Sequence, residues 1–200
     1  MNRSSAHVGL HAGVIFAASA LFFAMGLDGY SHRVHPVGLL GAQRMPHALA
    51  FNLVGFLLPG LLAAWVCWRL RERLESGAWT ARIGAWMALL SCLAFAAQGL
   101  FRLDPEHLES AASRLHGVVW MLWWLAFAPG AALLGLDLRS RPGWRGLAVV
   151  SVVGAIAVPV FAVAAMAWMP AAIAHRIAFG AWFAWLAWAS RAQSRKGAVP

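Results

Sequence analysis

Charged side chains are scarce in this 200-residue sequence, at 12% of all residues, and only seven of them are acidic. A water-soluble domain carries about twice that charged fraction. Only two cysteines occur, Cys67 and Cys92, without a CxxC pair or other metal-type spacing. Catalytic signatures such as HExxH and GxSxG are also missing. These absences argue against a soluble domain and single out no enzyme class.

Long apolar runs are what the sequence has instead, since 62% of its residues are hydrophobic. A bilayer core about 30 Å thick needs about 20 helical residues to cross it. Only short connections separate the runs, which leaves no room for a separate soluble domain. We therefore predict an all-α, polytopic membrane protein with six transmembrane helices in one bundle, a single domain over residues 1–200. The predicted spans cover residues 8–27, 48–70, 81–100, 118–138, 147–169 and 171–189.

The distribution of lysine and arginine predicts the orientation of the chain. Most of the 16 basic residues flank one side of the predicted spans, and that side is cytoplasmic by the positive-inside rule. The exceptions are Arg33, Arg44, Arg102, Arg114 and Arg176. Both termini are expected in the cytoplasm of a bacterium, with the protein in its inner membrane. The formal net charge of +9 is interpreted as attraction to anionic lipids rather than to nucleic acid.

Histidine gathers on the predicted outer side. Six of the eight histidines fall there, namely His32, His35, His47, His107, His116 and His175. Four carboxylates join them, namely Asp28, Asp104, Glu106 and Glu109. Such groups can bind a metal, move protons or hold a phosphate. The three outer connections are therefore the predicted place of the chemistry.

Two of these connections carry specific expectations. Asp104 followed by Pro105 is typical of a helix start, because the carboxylate caps free N–H groups and proline suits the first turn. Arg176 is expected in the first turns of the last helix, beneath the membrane surface. An arginine at that depth needs a partner, such as Asp28, Asp104, Glu109 or a lipid phosphate, or it must extend its side chain to the interface. His175 lies beside it.

The sequence resembles the bacterial and archaeal membrane proteins grouped as domain of unknown function 998. The matching pieces are G-Y at 29–30, V-G-L-L-G-A at 37–42, F-N-L-V-G-F at 51–56, G-L-F-R-L-D-P at 99–105, His116 and H-R-I at 175–177. Two positions depart from the pattern, since Gly38 stands where a serine is expected and Arg102 where a proline is expected. The resemblance implies a six-helix fold and no settled activity.

Three functions remain open on these residues. The first is binding of a lipid headgroup or small amphiphile in an outward polar pocket lined by Tyr30, Asn52, Asp104, His116, His175 and Arg176. The second is a metal- or histidine-dependent enzyme acting on lipid-linked substrates, with metal candidates His47, Glu109, His116 and His175. The third is electron transfer by haem held between two of His47, His116 and His175. No cofactor is firmly implied, and the expected partners are the bilayer and its anionic lipids.

Overall fold

Six long helices dominate the computed structural model, which describes residues 6–75 and 78–195. No β-strand occurs within those two ranges. The helices are α1 (Val8–Met25), α2 (Ala48–Arg73), α3 (Trp79–Ala97), α4 (Ala111–Leu138), α5 (Arg145–Ala162) and α6 (Ala171–Arg195). Short 3₁₀ turns at Val37–Gly41 and Ala164–Ala167 precede α2 and α6. The prediction of an all-helical fold is confirmed.

Five of these helices, α1 to α5, are long and apolar enough to cross a membrane. Their outward faces expose large apolar side chains, among them Phe22, Val149, Val153 and Ile156. In water such a surface would be costly, whereas hydrocarbon accommodates it. The chain is therefore a multi-pass membrane protein.

Helix α6, which is not among these five, packs against several other helices. It packs against α1, α2 and α5, and its Trp182 and Trp185 are fully buried. Trp182 stacks on Phe95 of α3 with 4.8 Å between the ring centroids, and the Trp185 Nε1–H donates to Ser151 Oγ of α5 over 2.8 Å. Tryptophan, together with His175 and Arg176, makes α6 less hydropathic than its neighbours. These two tryptophans serve helix packing.

Small residues let neighbouring helices approach closely. A Cβ added at Gly60 of α2 would lie 2.6 Å from the Cβ of Ala96 in α3, and one added at Gly84 would lie 2.8 Å from the Gly130 carbonyl of α4. Cys67 and Cys92 meet between α2 and α3 with 3.4 Å between their sulfurs, both fully buried. Both thiols act as packing residues at this position.

The start of α4 differs from the prediction made from Asp104 and Pro105. The helix begins at Ala111, and Ser110 caps it by accepting the N–H of Ser113. Asp104 instead closes a tight turn, since its Oδ1 accepts the N–H groups of Glu106 and His107 at 3.1 and 3.2 Å. An aspartate satisfies the N–H groups of such a turn as readily as those of a helix, which explains the error.

The two ends of the bundle have different compositions. One end is formed by residues 26–47, 98–110 and 163–170, and we call it the histidine-rich end. The other is formed by residues 69–75, 139–145 and 191–195, and we call it the arginine-rich end. At the arginine-rich end the start of α1 and the end of α6 meet, where Ser190 Oγ donates to the Ala6 carbonyl over 3.0 Å.

Candidate functional site

Arg176, in the second turn of α6, is held by the loop that joins α1 to α2. Its Nη2 donates to the Tyr30 hydroxyl over 2.7 Å and to His32 Nδ1 over 3.2 Å. Its Nη1 donates to the backbone carbonyls of His35 and Ala172 at 3.1 and 2.7 Å. All four acceptors are neutral oxygen or nitrogen atoms. The guanidinium is thus fixed in place, and none of these four partners offsets its positive charge.

This arrangement contrasts with the carboxylate partner considered for Arg176 from the sequence. Within residues 6–75 and 78–195, the ion pairs that form do not include Arg176. A cation that ends at the membrane surface without a carboxylate attracts an anion from the surroundings. We call Arg176 with Tyr30, His32 and the His35 carbonyl the arginine cradle.

The loop side of the cradle is shaped by local hydrogen bonds. Gly29 has a φ of 74°, a conformation that suits glycine, and it turns the chain so that Tyr30 can reach Arg176. The Tyr30 hydroxyl also donates to the Pro36 carbonyl over 3.3 Å. His35 Nδ1 accepts the Ser31 N–H over 2.9 Å, so the His35 ring stabilises the loop.

The two ionisable loop side chains of the cradle, Tyr30 and His32, are neutral at pH 7. Burial raises the pKa of the Tyr30 hydroxyl above 10, although the Arg176 charge and hydrogen bond act against this. Burial, and then the Arg176 charge, lowers the pKa of His32 below 6.5. Because an arginine nitrogen only donates, His32 Nδ1 must accept and its proton sits on Nε2. The cradle therefore carries one positive charge, that of Arg176.

An apolar groove of about 530 Å³ runs down the bundle from the cradle. It lies between α1 and α6, and Arg176 and His32 form its polar end. Below them the walls are small or apolar, with Ala17 and Leu21 from α1 and Gly180 from α6. Nothing lies within 4 Å of a Cβ added at Gly180, so this position faces open space. We call this cavity the α1–α6 groove.

Sequence reasoning missed His32 as a partner of Arg176 and missed Gly180 altogether. A signal was present, because Gly180 and Ala184 follow Arg176 at intervals of four residues and so lie on one helix face beneath it. His32 was predicted only as one of the six histidines of the outer side.

Asn52, at the start of the π-helical stretch Asn52–Leu57 in α2, is buried and serves the loop rather than the groove. Its Nδ2 donates to the Gly41 carbonyl over 2.8 Å. Gly41 is required there, since an added Cβ would lie 2.1 Å from Asn52 Oδ1. This contact anchors the 3₁₀ turn Val37–Gly41 against α2.

His116 and Gln98 form a second polar group at the histidine-rich end. His116 Nδ1 lies 2.8 Å from the Phe101 carbonyl, and His116 Nε2 lies 3.1 Å from the position of an added Cβ at Gly38. The residue that departs from the family pattern thus sits directly against this imidazole. Gln98 was not predicted as a site residue, and its amide Nε2 is buried without a partner among the described residues.

The remaining predicted residues lie apart from the cradle's hydrogen bonds. The His175 ring packs on Trp120 with 5.0 Å between centroids, and its Nε2 is buried with no partner in the described part of the chain. Asp104 is committed to its turn, and its backbone N–H and C=O both bond Ser113 Oγ. The structure therefore brings Tyr30 and Arg176 together, whereas Asn52, Asp104, His116 and His175 have other contacts.

The four metal candidates do not gather into one site. Among residues 6–75 and 78–195, no group of three histidine, cysteine or acidic side chains could hold a metal ion. His47 and Glu109 are exposed, and His116 and His175 face different neighbours.

Comparison with known protein families agrees with this layout. A family model described as "Protein of unknown function (DUF998)" matches residues 10–192, which is most of the chain. The chain belongs to this family. The match runs from α1 to α6 and includes the arginine cradle and every residue that lines the α1–α6 groove except Gly9. Comparison with curated proteins and with solved structures returned no match.

Proposed function

We propose that this DUF998 protein binds an anionic amphiphile, with its charged headgroup in the arginine cradle and its apolar tail in the α1–α6 groove. The observation that carries the proposal is the position of Arg176. Its charge has only neutral partners among the described residues, and it stands at the polar end of an otherwise apolar groove. A phosphate or carboxylate would supply the missing countercharge, and the groove would shield an acyl chain.

The proposal also includes the membrane of the protein and its orientation in that membrane. All six helices cross the bacterial inner membrane, and both termini lie in the cytoplasm. The distribution of arginine supports this orientation, since the arginine-rich end follows the positive-inside rule. The packing of α6 supports a sixth crossing, because a helix that packs against α1, α2 and α5 needs less hydropathy than one that faces lipid on most sides. The cradle then opens towards the outer leaflet.

The alternatives raised from the sequence receive no specific support. A haem needs two histidines that face each other across a gap, whereas His47 is exposed, His116 bonds the Phe101 carbonyl and the His175 ring packs on Trp120. A metal-dependent enzyme needs ligands that converge, and the candidate ligands lie apart. Binding of an amphiphile needs neither.

The proposal is tested by native mass spectrometry of protein purified in mild detergent and titrated with phosphatidylglycerol. Arg176→Gln removes the charge and is expected to weaken binding about tenfold or more, since a hydrogen bond to a charged group contributes about 1.5–3 kcal/mol. Arg33→Gln is the matched control, because Arg33 is exposed on the same loop and outside the groove. Equal lipid retention by both variants would contradict the proposal.

A second variant tests the role of the groove without changing the contacts between Arg176 and the loop. Gly180→Leu fills the groove and leaves every cradle hydrogen bond in place, so it is expected to reduce lipid binding without unfolding the protein. Gly117→Leu is its control, because an added Cβ at Gly117 also meets nothing within 4 Å but lies outside the groove. If Gly180→Leu bound lipid as well as Gly117→Leu, the tail would not lie in this groove.

A further inference from the structure

A second pocket opens at the histidine-rich end and shares no lining residue with the α1–α6 groove. It has a volume of about 560 Å³ and lies between the loop before α2, the segment after α3 and the start of α4. Its polar lining comes from Gln43, Arg44 and Arg102, and its apolar lining includes Leu100 and Leu115. We call it the two-arginine pocket.

The two loops that form this pocket are held together by hydrogen bonds from Gln43. The Gln43 N–H donates to the Leu103 carbonyl over 2.8 Å, and the Gln43 side-chain amide donates to the Arg102 carbonyl over 3.4 Å. The positions of Arg44 and Arg102 along the pocket wall are therefore set by the fold. A flexible surface pair of arginines would lack this constraint.

Arg44 adopts a backbone conformation that ordinary side chains rarely adopt, with a φ of 64°. Its side chain pairs with Glu106 across the two loops. Non-glycine residues in the left-handed region are uncommon, and they concentrate at binding sites, where the surrounding structure holds them. The strain here coincides with the wall of a pocket.

The pocket carries an excess of positive charge. Glu106 offsets Arg44, but the Arg102 guanidinium forms no hydrogen bond or ion pair with the described residues. Leu100 and Leu115 are both largely exposed, so the apolar wall of the pocket faces the surroundings of the bundle. An unpaired guanidinium beside an exposed apolar wall complements a molecule that is anionic at one end and apolar along its length.

We infer that the two-arginine pocket is a second lipid site, which binds the phosphate of an anionic phospholipid through Arg102 and Arg44. The acyl chains lie along Leu100 and Leu115. The pocket is at the level of the loops that flank the membrane-crossing helices, where lipid phosphates are concentrated. The site shares no residue with the arginine cradle, so an experiment can disprove lipid binding at one of the two sites without disproving it at the other.

The test is lipid titration of the Arg176→Gln protein, in which the cradle no longer contributes. Phosphatidylglycerol and phosphatidylcholine are each titrated and followed by native mass spectrometry. We expect Arg102→Gln, added to Arg176→Gln, to weaken the remaining phosphatidylglycerol binding about tenfold and to leave phosphatidylcholine binding unchanged. Arg114→Gln in the same background is the matched control, since Arg114 is exposed on the first turn of α4 but does not line the pocket.

Two results would overturn the inference. If Arg102→Gln and Arg114→Gln weakened phosphatidylglycerol binding equally, the effect would be general surface charge and not this pocket. If free glycerol phosphate bound as tightly as the phospholipid, and Arg102→Gln abolished that binding, the site would recognise a soluble phosphate rather than a lipid. Circular dichroism of each variant confirms that the helices are intact.

Discussion

Single residues at the histidine-rich end decide whether the loop between α1 and α2 takes its observed shape. Gly41 allows the buried Asn52 amide to reach a backbone carbonyl, and Arg176 fixes Tyr30 and His32. The sequence predicted Tyr30, Asn52 and Arg176 as functional candidates because polar residues are rare in apolar surroundings. It did not predict which of them would touch, since contacts across 146 residues of chain depend on how the helices pack.

Gly41→Ala is expected to destabilise the protein by about 1–3 kcal/mol, because the new methyl group displaces Asn52 from its hydrogen bond. Thermal unfolding in detergent measures the loss. Gly117→Ala serves as the control, since its added Cβ meets open space. Equal melting temperatures for the two variants would show that Asn52 does not pack against Gly41.

The stability of the protein is expected to depend on the protonation of His32. Its pKa is lower in the folded state than the ordinary 6.5, so the unfolded chain binds more protons and stability falls as the pH drops below about 6.5. His32→Gln removes this contribution. Lowering the pH from 8 to 5 should therefore reduce the melting temperature of the wild type more than that of His32→Gln. A difference that is constant with pH would contradict the contact between His32 and Arg176.

At the level of the helices, glycine positions determine which faces meet. Hydropathy predicted the existence and approximate ends of the helices, but most of them are apolar on all sides and so give little indication of their packing faces. Close approaches between helices, such as that of Gly60 to Ala96, indicate the packing faces instead. For the same reason the α1–α6 groove could not be predicted, because it exists only where two particular faces diverge.

Gly60→Ala is expected to push α2 away from α3 and to cost about 1–3 kcal/mol, since the added methyl group would lie within 2.7 Å of the Ala96 backbone. Gly180→Ala is the matched control on α6 and should be neutral or slightly stabilising, because alanine favours a helix and the position is open. Chemical unfolding in mixed micelles compares the two. A neutral Gly60→Ala would show that α2 and α3 do not pack at this glycine.

At the level of the whole molecule, the two ends separate basic loops from histidine-rich ones. The sequence predicted this polarity, because charge in loops does not depend on helix packing. It did not predict that Trp182 and Trp185 of α6 would be buried. Their burial follows from the packing of α6 against α1, α2 and α5.

The proposed topology predicts that both termini lie in the cytoplasm. A green fluorescent protein fused to either end should fluoresce, and alkaline phosphatase fused to either end should be inactive. The same reporters inserted at Glu109, in the exposed turn before α4, should give the reverse pattern. Active alkaline phosphatase at one terminus alone would indicate an odd number of crossings. It would mean that α6 or another helix does not cross the membrane.

The central claim, that an anionic amphiphile occupies the α1–α6 groove, is tested most directly by photo-cross-linking. A phosphatidylglycerol with a diazirine in its acyl chain is incubated with the protein, irradiated, and the labelled residues are mapped by mass spectrometry. The account predicts labelling of Val14, Ala17, Leu21 and Ala184 that is lost in Arg176→Gln. Equal labelling of the outward residues Val149, Val153 and Ile156 on α5, unchanged by that substitution, would contradict it.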